Sequence, residues 1–317
     1  MTTPAISVVL PTYNVENYIA RALDSLINQT YTDFEVIVVD DCSNDKSIKI
    51  AEDYALKDDR IKIINNSKNL GTYHARRVGV EHAIGDYIFF LDPDDELKLN
   101  TFQQLQITIN KKETDIVFLG VVSLTRNKWY EKSPYMFPVN QTQDLFVSYF
   151  SNGTRSYLWG TAGKVYKKSF IKKLYNKLNV SLDFRFVYAE DVFLLLHAML
   201  LRPSYACIYF EGYIIHNNET SITQSFISES DDKIMQYDFM VESVLQELEK
   251  LTLSKKEQKT VIFLKKKLLA DRFLLIRNSG TAKYYFKCIS KSFRLIPNVT
   301  KGIRMSVFIL SFGLLRL

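Results

Sequence analysis

The sequence has few cysteines, and its first residues predict no secretory leader. It has three cysteines in 317 residues, Cys42, Cys207 and Cys288. Their number is odd and their spacing matches neither a zinc site nor a disulfide framework, so we expect a reducing compartment and no chemistry from the thiols. The first residues, MTTPAISVVLP, have no basic segment and no unbroken apolar run of the kind that opens a signal peptide. Export is therefore not expected.

Acidic residues are scarce in the last fifth of the chain. From Lys255 to Leu317 there are fifteen Lys or Arg and two acids, which gives this tail a net charge of +13. Since the whole chain carries +6, the first 254 residues carry −7. The length corresponds to about two domains at roughly 150 residues each. An acidic body with a basic tail indicates two separate roles.

The first hundred residues alternate short apolar runs with segments of helical period. Strands are predicted at residues 6–10, 36–39, 61–64 and 87–91. Between them we predict a helix capped by Asn14, a helix capped by Ser43 or Asn44, and a helix over 72–83 with Gly85 suited to its C-cap. This alternation is typical of βαβ units around a parallel sheet.

Polar loops follow three of these predicted strands, with the sequences PTYN, DDCS and DPDD at residues 11–14, 40–43 and 92–95. The carboxyl ends of parallel strands form the ligand crevice of an open α/β sheet. We therefore expect the three loops to lie together at one edge of the sheet.

The DPDD loop concentrates negative charge directly behind a buried strand. In extended backbone Asp92 and Asp94 would point the same way, with Pro93 pointing away. At about 4 Å their repulsion is about 4 kcal/mol at an effective dielectric of 20, and a divalent cation would reverse it. Oxygen ligands favour Mg²⁺ or Mn²⁺, and Mg²⁺ pairs one or two carboxylates with substrate phosphates. A solvated acidic turn that caps the next helix remains the alternative.

Four segments in order, SVVLPTYN, VIVVDDCSND, NLGTYHARRVGVEHAIGDYIFFLDPDD and AEDVFLL, extend from Ser7 to Leu195. Together they resemble the family 2 glycosyltransferases, enzymes of the GT-A fold that use nucleotide-sugar donors. The resemblance covers roughly the first 220 residues. It implies an α/β fold with a Rossmann-like, mostly parallel sheet flanked by helices. A catalytic domain at 1–225 would then precede a helical, basic region at 226–317.

The resemblance also implies a nucleotide site. Pro11, Tyr13 and Asp41 are expected to hold the nucleobase, most commonly uracil, with Tyr13 stacked on it and Asp41 on its imide edge. The alternative for Tyr13 is a turn residue that covers the end of the sheet. Asn69 and Arg76 match positions that contact the nucleotide, and a surface salt bridge is the alternative for Arg76.

Roles at the reacting end follow in the same way. The resemblance implies that Asp92 contacts the ribose and helps hold Mn²⁺ or Mg²⁺, and that Asp94 ligates the cation. It implies that Asp95 contacts these residues and not the cation itself. It also implies that Asp191, beside Glu190 at the start of a helix, is the general base. The alternative is that both acids only cap the helix. A base at a helix N-terminus needs burial or a neighbouring acid, such as Glu190, to raise its pKa.

Three further residues match pocket positions of the family. Trp159 is expected to line the donor or acceptor pocket, although a core position is an equal alternative. Lys164 matches a recurring lysine, but four nearby lysines also fit a solvated basic face. His216 occupies a position where related sequences carry Arg or His near the diphosphate, and a polar loop residue is its alternative.

The activity implied is metal-dependent, inverting transfer of a hexosyl or N-acetylhexosaminyl group from a nucleoside-diphosphate sugar, most commonly a UDP-sugar. The acceptor would be a glycan or lipid-linked glycan of bacterial surface polysaccharide, lipopolysaccharide or teichoic type. The alternative function is a non-catalytic scaffold that binds nucleotide sugars. Four retained aspartates, at positions 41, 92, 94 and 191, favour the enzyme.

The basic tail mixes lysine clusters with apolar groups, which favours peripheral association with the inner, cytoplasmic face of the cell membrane. A helical subdomain packed on the body or on a homodimer partner is the alternative. Eleven mostly apolar residues between Arg304 and Arg316 are too few to cross a bilayer of about 30 Å. Nucleic acid is not an expected partner, because no binding motif accompanies the charge.

Overall fold

A computed structural model describes residues 4–125, 128–132, 160–216, 218 and 230–279. The chain forms two compact units, Met1–Glu219 and Thr220–Leu317. Three features predicted from the sequence lie outside the described residues. These are Trp159, the domain boundary between 225 and 226, and the apolar segment between Arg304 and Arg316.

The described part of the first unit contains nine strands and six helices. The strands are β1 Ile6–Thr12, β2 Phe34–Asp40, β3 Ile61–Asn65, β4 Tyr87–Phe90, β5 Glu96–Leu97, β6 Ile116–Thr125, β7 Lys128–Lys132, β8 Lys164–Lys167 and β9 Tyr205–Ile215. The helices are α1 Ile19–Ile27, α2 Ser47–Ala55, α3 Thr72–His82, α4 Thr101–Lys111, α5 Lys168–Leu178 and α6 Glu190–Leu200.

One sheet carries all nine strands, in the order β3-β2-β1-β4-β8-β6-β9-β5, with β7 on β6. The first four strands are parallel, as predicted, and β1 is buried along its whole length, as expected for a strand covered on both faces. Beyond β4 the sheet is mixed, because β8 runs antiparallel to both β4 and β6. The predicted α/β class, a Rossmann-like sheet flanked by helices, is confirmed.

Register places the loops of interest at one edge. Thr12 at the end of β1 lies opposite Asp40 at the end of β2, and the Asp41 amide donates to the Thr12 carbonyl at 2.9 Å. At the next strand, the Leu91 amide donates to the Val9 carbonyl at 3.1 Å. The ends of β1, β2 and β4 are therefore adjacent.

The predicted caps of the first two helices are wrong. α1 begins after Tyr18, whereas Asn14 lies in the loop with φ 53°, and α2 begins after Lys46. The polar side chains instead join the two loops to each other. The Asn44 amide donates to Asn14 Oδ1 at 2.8 Å. These side chains are thus used between loops rather than within a helix.

Gly85 is not a C-cap, which is a further correction. α3 ends at His82, and Ala83 occupies the C-cap position. The Gly85 amide donates to Ser7 Oγ at 2.8 Å, and a Cβ on Gly85 would lie 2.7 Å from that oxygen. The glycine is needed because the chain passes close to β1 at this point.

The described part of the second unit consists of two helices, α7 Ser230–Glu249 and α8 Lys255–Ser279, so the predicted helical character of this region is confirmed there. Both ends of the Arg272 guanidinium donate to the carboxylate of Asp238, which ties α8 to α7. Among the described residues, no helix is both long and apolar enough to cross a bilayer.

Candidate active site

The loops after β1 and β2 form one end of the site. Tyr13 is 41% exposed, whereas Pro11 is buried in β1. Asn69 lies in the loop that leads to α3, and its Oδ1 accepts from Arg185 Nε at 2.7 Å. Stacking on Tyr13 and contact with Asn69 stay predictions.

Asp41 is buried beneath this loop. Its Oδ1 accepts from the Leu70 amide and from Asn66 Nδ2, both at 2.8 Å, and its Oδ2 accepts from the Gly71 amide at 2.7 Å. A carboxylate offers about four acceptor positions, so about one remains. Asp41 therefore holds the loop before α3 in place, and its predicted contact with a base would use the remaining position.

Arg76 is the centre of a buried ionic network. It projects from α3 and is only 3% exposed, so the surface salt bridge considered above is wrong. Nη1 donates to Glu190 Oε1 at 2.5 Å and Nη2 donates to Asp92 Oδ1 at 2.6 Å. One guanidinium therefore joins the DPDD loop to the start of α6. Removing one partner of such a buried pair typically costs about 3–5 kcal/mol.

Glu190 and Asp191 occupy the first turn of α6. The N-cap of α6 is Ala189, which has left-handed backbone with φ 60°. No side-chain hydrogen bond caps the helix at that position. Burial, together with the charge of Asp191, raises the pKa of Glu190 to about 8 against the opposing effect of Arg76. Glu190 is thus a buried residue that accepts a hydrogen bond from Arg76 and holds the guanidinium in place.

Asp191 is half-buried, and its Oδ1 accepts from the Val192 amide at 2.7 Å. Burial raises its pKa, and the charge of Asp92 adds to this, whereas Arg76, the Val192 amide and Lys164 lower it. The condition stated above for a base at a helix N-terminus is therefore met, with Asp92 as a neighbouring acid. A Cβ on Gly160 would lie 3.2 Å from Asp191 Oδ2, so this glycine leaves room beside the carboxylate.

Lys164 lies at the start of β8 and is 3% exposed, so it is not part of a solvated basic face. Its Nζ donates to the carbonyl oxygens of Gly160 and Ala162 at 2.5 and 3.3 Å. Burial lowers its pKa to about 7, and Asp191 opposes that shift. The lysine therefore holds the segment that faces Asp191. Direct contact with a nucleotide sugar stays a prediction.

The DPDD loop is a tight turn rather than extended backbone, because the Asp95 amide donates to the Asp92 carbonyl at 2.9 Å. The extended geometry assumed for Asp92 and Asp94 is thus wrong. The two carboxylates still interact, since burial and the charge of Asp92 raise the pKa of Asp94. Arg21, on α1, donates to the Asp94 carbonyl and supports the turn.

Three residues from β9 and just beyond it complete the loop's surroundings. The Tyr213 hydroxyl and the His216 amide each donate to Asp95 at 2.9 Å, and Asn218 Nδ2 donates to Asp94 Oδ2 at 2.9 Å. The His216 ring lies 3.0 Å from Glu96 Oε1, so its predicted place near a diphosphate stays a prediction. Sequence reasoning missed Arg21, Tyr213 and Asn218, since no local pattern marks them.

The residues present fit a divalent cation held jointly with a phosphate ligand. Burial and the charge of Asp92 raise the pKa of Asp94, and a cation would offset that cost of ionising Asp94. Over the described ranges, no group of three His, Cys, Asp or Glu side chains could hold a metal ion alone. Oxygen atoms from a diphosphate would complete the coordination that Mg²⁺ or Mn²⁺ requires.

Comparison with known proteins identifies the family. A model of the family described as glycosyl transferase family 2 matches residues 7–178, more than half of the chain. The chain belongs to glycosyl transferase family 2. The motif series read from the sequence is thereby confirmed at the level of the family.

Relatives of this family 2 chain include the uncharacterized glycosyltransferase EpsJ of Bacillus subtilis, 31% identical over 227 residues that cover 70% of this chain and 63% of EpsJ. The minor teichoic acid biosynthesis protein GgaB of B. subtilis is 40% identical over 119 residues, 36% of this chain and 13% of GgaB. The chain thus spans less than two thirds of either relative.

A solved structure supports the GT-A fold. The crystal structure of S. aureus TarS 1-349 in complex with UDP-GlcNAc has a TM-score of 0.63 and 22% identity to this chain. The two structures align over 89% of this chain and 75% of the TarS chain. At this identity the likeness concerns the fold.

Proposed function

We propose that this chain is an inverting glycosyltransferase that moves a hexosyl or N-acetylhexosaminyl group from a UDP-sugar to a glycan acceptor. The single observation that carries the proposal is the buried Arg76 bridge. It brings the loop expected to hold the donor, through Asp92, next to the helix start that carries the candidate base. Family membership supplies the reaction class.

On the donor side, Tyr13 would stack on the uracil ring, and Asp41 would accept a hydrogen bond from its imide N–H. Asp92 would contact the ribose, with Arg76 holding that carboxylate in place. Asp94 and Asp92 would hold Mn²⁺ or Mg²⁺ against the diphosphate. When bound, the cation would neutralise negative charge that builds on the diphosphate, an effect worth several kcal/mol.

At the reacting end, Asp191 would accept the proton from the acceptor hydroxyl. The freed oxygen attacks the anomeric carbon as the bond from that carbon to the diphosphate oxygen breaks, and the electron pair leaves on the nucleoside diphosphate. Attack opposite the leaving group inverts the anomeric centre. A raised pKa suits Asp191 to this transfer, because a base works best when its pKa is close to the operating pH.

The substrates are proposed from relatives. TarS was crystallised with UDP-GlcNAc, and GgaB is named for minor teichoic acid biosynthesis, so we propose a UDP-sugar donor and a surface glycan acceptor of polysaccharide, lipopolysaccharide or teichoic type. A lipid-linked acceptor would place the enzyme at the cytoplasmic face of the cell membrane.

Asp191→Asn tests the proposed base. We expect wild type with Mn²⁺ to release UDP from one member of a panel of UDP-sugars, with an acceptor or by slow hydrolysis. The variant should lose about 10²- to 10⁴-fold in turnover and still bind UDP, because only proton transfer is removed. Asp183→Asn, at an exposed acid, is the matched control.

Unchanged turnover in Asp191→Asn would remove the base assignment. If wild type binds UDP-sugars tightly but never turns them over, the non-catalytic scaffold becomes the better description.

A further inference from the structure

The outward face of α8 combines exposed apolar and basic side chains. Ile262 and Phe263 are 52% and 40% exposed, which is unusual for large apolar residues in the middle of a helix. Lys255, Lys259 and Lys266 are also exposed. At about 100° per residue these five side chains lie within roughly 100° of arc on one side of the helix. We refer to them as the α8 face.

The opposite side of α8 explains why this face points outward. Five side chains at a helical spacing are buried: Thr260, Val261, Leu264, Leu268 and Leu275. Arg272 on the same side binds Asp238 of α7. The orientation of α8 on α7 is therefore set by packing, and the α8 face is on the other side.

The charge of the α8 face is of one sign. Glu257 is buried and accepts from the Ser254 amide at 2.7 Å, which closes a capping box at the helix start. Asp271 accepts from Lys267 at 2.9 Å. Neither acid of α8 reaches the α8 face, so nothing among its described side chains offsets the three lysines.

We propose that the α8 face docks on an anionic lipid surface, with Ile262 and Phe263 inserted between headgroups and the three lysines against lipid phosphates. Charge complementarity selects this occupant, because lysines near an anionic membrane each contribute to binding and apolar side chains gain from burial at the same depth. A second copy of the chain fits less well, since a stable protein interface needs about 20–30 residues on each side.

The docking face is tested by vesicle sedimentation of the full chain. Wild type should bind phosphatidylglycerol vesicles, fail to bind phosphatidylcholine vesicles, and lose binding as salt rises. Ile262→Glu with Phe263→Glu should weaken binding at least about tenfold. The control pair is Leu56→Glu with Ile107→Glu, which changes exposed apolar residues of the first unit.

The basic component has its own matched variants. Lys255→Gln, Lys259→Gln and Lys266→Gln together should weaken binding roughly a hundredfold. The same change at Lys111, Lys172 and Lys173, which are exposed elsewhere, should leave most of the binding intact. Hydrogen exchange of unaltered protein, with and without vesicles, should show added protection over residues 255–266.

Several outcomes would overturn the proposal. The first is that wild type fails to bind anionic vesicles. A second outcome is that the variants of the α8 face and their controls lose vesicle binding equally. A third is that vesicles add no protection from hydrogen exchange in α8. A change from dimer to monomer in the apolar pair would assign the face to a second copy instead. Vesicle binding is measured without donor or acceptor, so its failure leaves the catalytic proposal untouched.

Discussion

At the scale of single residues, the site depends on two buried basic side chains that interact with carboxylates. Arg76 serves both Asp92 and Glu190, and Lys164 lies beside Asp191 with its pKa lowered to about 7. Two buried cations thus face three carboxylates. Burial keeps the pKa of Asp191 above its ordinary value and the charge of Asp92 adds to this, whereas Arg76 and Lys164 limit how far that pKa rises.

This balance predicts a shifted pH profile for Lys164→Met. Removing the lysine removes a charge that lowers the pKa of Asp191, so that pKa rises in the variant. The base acts when ionised, and the acid limb of the kcat profile should therefore move to higher pH. Lys164 is protonated on the acid side of pH 7, where the limb is measured.

Lys172→Met, at an exposed position of α5, should leave the profile in place. An acid limb that stays fixed or moves to lower pH in Lys164→Met would contradict the electrostatic role of Lys164. Loss of kcat alone would not distinguish this role from a purely structural one.

At the scale of secondary-structure elements, α3 is held close against β1. A Cβ on Gly79 would lie only 2.2 Å from Val9 Cγ1, and Val9 is fully buried. This contact sets the distance between the helix that carries Arg76 and the strand that leads to Tyr13. The glycine is therefore a packing requirement within the helix.

Gly79→Ala should destabilise the first unit by about 1–3 kcal/mol, as overpacking in a core does. This outweighs the roughly 1 kcal/mol that alanine gains over glycine in a helix. Urea unfolding monitored by circular dichroism checks the sign. In the Val9→Ala background the same change should cost much less or stabilise, because space has been made. Equal costs in both backgrounds would contradict the contact.

At the scale of the whole molecule, donor and cation binding should appear as stability. UDP at a hundred times its Kd adds about 2.7 kcal/mol to the unit that binds it. For a unit of some 220 residues this corresponds to a melting transition about 5–10 °C higher. Mn²⁺ together with UDP should raise the melting temperature further, because a cation would relieve the repulsion between Asp92 and Asp94.

In Asp94→Asn, UDP alone should still raise the melting temperature, whereas Mn²⁺ should no longer raise it further. Calorimetry measures both changes. Chelation with EDTA should have the same consequence in wild type. If the transition rises equally with EDTA and with Mn²⁺, the two carboxylates do not hold a cation against the nucleotide.

Local patterns in the sequence determined the four parallel strands, the polar loops at their ends and the family, because periodicity and motif order are properties of neighbouring residues. Only the tertiary structure decided which charges meet. Arg76 and Glu190 are 114 positions apart, and no pattern within either segment predicts their 2.5 Å contact. The burial of Lys164 and the support that Tyr213 and Asn218 give the DPDD loop likewise depend on where β8 and β9 join the sheet. Such pairings arise from packing between distant segments, which a one-dimensional pattern does not encode.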